Sequence, residues 1–150
     1  MKDYLVRGLV SSKHVRVFAC TTKNLLEEAR LKHGLWPTAS AALGRMMSVT
    51  LMMGAMNKNK EKMTVNINGG GPIGTMLAST NSDGKIKAFV ANPEVFYTYN
   101  DTGHLAVGVA VGKEGTLQVI RDMGLKEPFV GTTPLYSGEI GDDCLLFPSI

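Results

Sequence analysis

Three groups of residues in this chain have types and spacings that could do chemistry. Gly69, Gly71 and Gly74 fit G-x-G-x-x-G after a strand-like run, the spacing at which backbone amides cradle a phosphate. Glu139, Asp142 and Asp143 cluster in SGEIGDD and could pair as carboxylates or hold a divalent cation. Cys20 and Cys144, with His14, His33 and His104, are the soft-ligand and nucleophile candidates.

Each group has a plainer reading. A dinucleotide loop needs a helix after it, yet Ile73 to Thr80 runs straight into the turn Asn81-Ser82-Asp83-Gly84. Glu94 is at a tolerable distance for a ribose carboxylate but follows the Asn92-Pro93 break. A wide glycine hairpin is therefore the preferred reading. The acidic cluster suits the positive end of a short helix. The cysteines have no Cys-x-x-Cys spacing and the histidines no ligand spacing, so no zinc site is expected. Buried free thiols in a reducing, cytoplasmic compartment fit best. With no nucleophile elbow and no Ser-His-acid arrangement, no catalytic, cofactor-binding or metal-ligating residue is assigned, and no enzyme is expected.

The surrounding elements read as follows. DYLVRGLV and VRVFACT, joined by Ser11 to His14, form a hairpin. Thr21 or Thr22 caps the helix KNLLEEARLKH, Gly34 ends it, and Pro37 opens a second helix. MTVNIN alternates, with Met63, Val65 and Ile67 on one face. IGTMLAST and KIKAFVA are strands, VFYTY is a further edge segment, and Leu105 to Val111 is glycine-interrupted. TLQVIRD is a strand, and PFVGTTPLY a short edge strand between prolines. A hairpin, two helices and then mostly strands give an α+β class.

The second helix, WPTASAALGRMMSVTLMMGAM, carries one charge, Arg45, and five methionines in its last eleven positions. Arg45 would cost roughly 2.5–3.5 kcal/mol at the centre of a bilayer, so a membrane span is not expected. Ser40, Gly44 and Ser48 form a face nearly free of bulk, while Leu43, Met46, Met47 and Met53 form a bulky one. A core helix is the plainer reading. A pliable thioether surface for varied apolar partners is the sharper one, and both hold if the core opens. At 150 residues, 44% hydrophobic and 19% charged, the chain is one globular domain, and its net charge of +3 predicts no nucleic-acid partner. Asn57 to Lys62 reads as a solvated loop.

WPTASAALGRMM, LMMGAM, a strand before GGGPIG, DGKIKAFVANP, LQVIRDMGLKEPF and SGEIGDD occur in this order, over residues 3 to about 143. In this the chain resembles the 33 kDa heat-shock protein family, bacterial redox-regulated holdase chaperones. The resemblance implies a layered β/α/β domain with a long apolar helix buried between sheets. It implies ATP-independent capture of unfolded or misfolded proteins, with dimers among the active forms. The family's zinc switch belongs to a C-terminal domain with four cysteines. Cys20 and Cys144 match none of these, so residues 1–150 are expected to be an incomplete N-terminal domain without zinc or other cofactor. Missing strands would leave open sheet edges and uncovered apolar faces, inviting a homodimer.

The expected activity is thus that of a holdase. Phe96, Tyr97 and Tyr99 are the candidate client-binding residues, and Met52, Met53 and Met56 join them if the helix end becomes exposed. Rival readings are a nucleotide-binding enzyme built on the Gly69–Gly74 loop and an inactive family fragment.

Overall fold

The structure, a computed structural model, describes residues 1–12, 14–57 and 61–145. In chain order it contains β1 (Leu5–Val10), β2 (Val15–Cys20), α1 (Lys23–His33), α2 (Pro37–Met56), β3 (Lys62–Asn68), β4 (Met76–Thr80) and β5 (Ile86–Val90). There follow α3 (Val107–Val111), β6 (Thr116–Asp122), β7 (Phe129–Pro134) and α4 (Ile140–Leu145). β1 and β2 pair alone, and the other strands form an antiparallel sheet in the order β5-β4-β3-β6-β7. The class is α+β, and α2 lies between the sheets, against β3, β4 and β5 on one side and β2 on the other. The solvated-loop reading falls largely on residues 58–60, which lie outside the described residues.

Alternation sets the large sheet. Met63, Val65 and Ile67 of β3 sit beside Met76, Ala78, Leu117 and Val119 of the neighbouring strands, all essentially buried. They share one core with Leu43, Met46, Met47 and Met53 of α2. The bulky helix face is therefore a core face. The small face receives α1: a Cβ on Gly44 would come within 2.7 Å of Leu26 Cδ2. Ser48 Oγ lies 2.9 Å from Thr22 Oγ1, and the Ser48 carbonyl accepts from Cys20 Sγ at 3.6 Å.

Gly34 ends α1 in the left-handed conformation and Pro37 opens α2, as their chemistry requires. The cap of α1 differs from expectation. Thr22 holds the N-cap position, but its hydroxyl is engaged with Ser48, and the Leu25 amide donates to Asp3 Oδ2 at 2.8 Å. A carboxylate from ahead of β1 thus meets the positive end of the helix. Residues 73–75 are not strand, and Val107 to Val111 form a helical turn. The segment VFYTY makes no sheet edge, only the isolated bridge Thr98–Leu105. Its backbone is spent elsewhere.

Candidate client-binding surfaces

That backbone serves the start of α2. The Trp36 amide donates to the Pro93 carbonyl at 2.9 Å and the Ala39 amide to the Val95 carbonyl at 3.4 Å. Thr38 Oγ1 donates to the Tyr97 carbonyl and accepts from the Tyr97 amide, both at 2.9 Å. α2 has no side-chain N-cap, and these carbonyls satisfy donors that a helix start leaves open. With the backbone committed, Phe96, Tyr97 and Tyr99 remain exposed, Phe96 by 57%. The rings lie at the surface, and the bonds that hold them there join segments too far apart in the chain for spacing to reveal.

The methionine candidates separate from the aromatics. Met52, Met53 and Met56 belong to the last turns of α2 while the aromatic segment lines its first turn. At 1.5 Å per residue the two groups are roughly 20 Å apart. They form two surfaces, not one. Met53 is only 6% exposed and belongs to the core, as expected of the bulky helix face, so it could meet a client only if the helix end opened; Met52 is half-buried. Met56 is exposed and joins Leu9, Phe18, Arg7 and Arg16 around a groove of about 490 Å³ between the hairpin and the helix end.

The hairpin itself carries surface that sequence reasoning passed over. Its register puts Leu5, Arg7, Leu9, Arg16, Phe18 and Cys20 on one face, and Cys20 and Arg16 hydrogen-bond to α2 from it. Val6, Val10, Val15 and Val17 lie on the other face and are each about half exposed. The signal was available: neither LVRGLV nor VRVFAC alternates apolar with polar, so both faces had to be greasy.

The candidates for chemistry resolve into structure. Gly71 and Ile73 donate their amides to the Val111 and Ala110 carbonyls, each at 3.0 Å. The Gly70 amide goes to Asn68 Oδ1, and the Gly74 amide to the Gly71 carbonyl. A Cβ on Gly69 or Gly71 would collide with the 110–112 backbone. The glycines thus permit a backbone crossing, and the facing helix end presents carbonyls, the wrong polarity for phosphate. Glu139 accepts from Arg45 Nη1 at 2.9 Å and from the Gly108 amide at 3.2 Å. Asp143 Oδ1 accepts from the Tyr136 and Ser137 amides at 3.0 and 3.1 Å. Burial pushes the Cys144 thiol up to about 11, with the Asp143 charge adding to it, and burial also raises Cys20. These are poor nucleophiles. Among the described residues there is no group of three or more His, Cys, Asp or Glu placed to hold a metal ion. No helix among them is long and apolar enough to cross a membrane.

This layered α+β domain with exposed apolar faces resembles chaperones in both sequence and fold. A profile of the family described as Hsp33 protein matches residues 3–147, and the chain belongs to that family. It is 50% identical over 141 residues to a 33 kDa chaperonin of Bacillus subtilis (strain 168), covering 94% of this chain and 48% of that one. It is 48% identical over 142 residues to a 33 kDa chaperonin of Staphylococcus carnosus (strain TM300), covering 95% and 48%. The crystal structure of the 33 kDa chaperonin of Thermotoga maritima superposes with a TM-score of 0.88 at 36% identity, covering 93% of this chain and 48% of that one. The chain spans about half the length of these relatives.

Proposed function

We propose that this domain is an ATP-independent holdase that binds unfolded or misfolded chains under heat or oxidative stress. The observation that carries the reading is the valine face of the β1–β2 hairpin, uncovered in a member of a chaperone family. Such a face gains about 25 cal/mol for each Å² of client apolar surface taken from water, with no bond made or broken. The exposed Phe96, Tyr97 and Tyr99 supply a second patch, and Met56 the greasy mouth of a third. The Gly70 amide is committed to the Asn68 side chain and those of Gly71, Ile73 and Gly74 to backbone carbonyls, which supports activity without ATP and without a catalytic centre. Two free, shielded thiols support activity without zinc or a redox switch, and a cytoplasmic setting. A homodimer through the hairpin faces is the expected self-association.

Light scattering of a heat-unfolding client enzyme tests this. Substoichiometric to equimolar chain should suppress aggregation equally with and without ATP and peroxide. No suppression at a fivefold molar excess would end the reading, and dependence on ATP would favour the nucleotide rival.

A further inference from the structure

The large sheet ends on β5, which pairs only with β4. The Ala91 amide donates to the Thr75 carbonyl at 2.8 Å, and this sets the phase of the ladder. Leu77–Phe89 and Ser79–Lys87 are then the hydrogen-bonded pairs, and the N–H and C=O groups of Ile86, Ala88 and Val90 point away from β4. Among the described residues no backbone group outside the strand takes them up. A stripe of α1 including Leu25 and Ala29 faces this edge across a groove of about 580 Å³, whose walls include Met47, Ile86 and Ala88.

An occupant must satisfy both features. The open row of backbone groups takes an extended strand whatever its side chains, and the groove takes every second side chain if it is apolar. The rim adds a charge preference. Lys85 and Lys87 are exposed and in no ion pair among the described residues, and His33 lines the groove. The carboxylate lining it, Glu28, is already paired with Lys32 at 2.7 Å. The lysines disfavour a second copy of β5, which would bring like charges together, and favour carboxylates.

We propose that the free edge of β5 holds an extended apolar segment of an unfolded chain, flanked by acidic residues, by antiparallel strand addition. This rests on the holdase reading and names its mode of recognition: main-chain hydrogen bonds do not depend on client sequence.

The test uses a fluorophore-labelled ten-residue peptide of alternating valine and threonine with aspartate at each end, followed by anisotropy. Two further peptides carry N-methyl groups on the valine amides or on the threonine amides. In an added strand only alternate amides face the edge, so one methylated peptide should bind at least tenfold more weakly than the other, with the valine set the weaker. Ala88→Pro removes an edge N–H without touching the β4 ladder and should weaken the parent peptide at least tenfold at an unchanged circular dichroism spectrum. If that variant does not fold, the methylated pair on the unaltered chain decides alone. Equal behaviour of the two methylated peptides overturns the proposal, as does full binding to folded Ala88→Pro. So does self-association that Ala88→Pro abolishes in a chain that binds no peptide. Client suppression without this asymmetry removes the edge and leaves the holdase reading; the asymmetry without suppression does the reverse.

Discussion

Thr38 Oγ1 grips both polar groups of the Tyr97 backbone, donating a hydrogen bond to its carbonyl and accepting one from its amide at 2.9 Å each. The Thr38 side chain is completely buried, so neither Tyr97 group has water as a ready replacement. Thr38→Val keeps the shape and removes both bonds, and should cost about 2–3 kcal/mol in urea unfolding. It should also loosen the aromatic segment, read as faster amide exchange at Tyr97 and Ala106, whose amide bonds back to the Tyr97 carbonyl.

Gly71→Ala puts a methyl into the Ala110–Val111 backbone, which cannot move aside as a side-chain tip would. The expected loss is about 3 kcal/mol or more, with the melting temperature falling by 10 °C or more. A phosphate-binding glycine would instead change nucleotide affinity with stability little altered.

Thr50 is buried in α2, and its hydroxyl finds no partner among the described residues. Thr50→Val replaces the orphan hydroxyl by a methyl of similar shape and should be neutral or stabilising by about 1 kcal/mol in denaturant titration.

The thiol of Cys144 titrates higher folded than unfolded, at about 11 against 9.0. The fold therefore favours the neutral form. Its contribution is complete below pH 9 and is lost as pH climbs from 9 to 11. Cys144→Ala should flatten the fall in stability over that window. At pH 8 iodoacetamide should label the native thiols far more slowly than those of the urea-unfolded chain, by liquid chromatography and mass spectrometry.

Two surface variants separate the candidate patches. Val6→Ser with Val17→Ser changes only exposed positions and should shift stability by less than about 1 kcal/mol, yet weaken suppression of client aggregation several-fold. Phe96→Ser with Tyr99→Ser tests the other patch in the same scattering assay. Unchanged suppression in both double variants would remove the two patches as client surface.

Local chemistry settled much of this fold in advance. A β-hairpin needs two β-rich runs and a short turn, so β1 and β2 were legible, as was β3 from strict alternation at Met63, Val65 and Ile67. Gly34 and Pro37 marked α1 and α2 because one tolerates the left-handed conformation and the other cannot continue a preceding helix. The bare stripe Ser40, Gly44, Ser48 was legible as a face free of bulk, and it is there that α1 packs closely.

The residue order also carried the family, through motifs spread over most of its length. What it could not carry were bonds between distant segments. Asp3 capping α1, residues 93–97 serving the start of α2, and residues 110–112 crossing the glycine loop all depend on non-local proximity. A side chain or carbonyl satisfies whichever donor the tertiary fold brings near, and periodicity is blind to that choice. Exposure behaved the same way: Val6, Val17 and Met53 are equally apolar as letters. Only the packing of α2 between the large sheet and one face of the hairpin, with the other hairpin face left bare, made two of them surface and the third core.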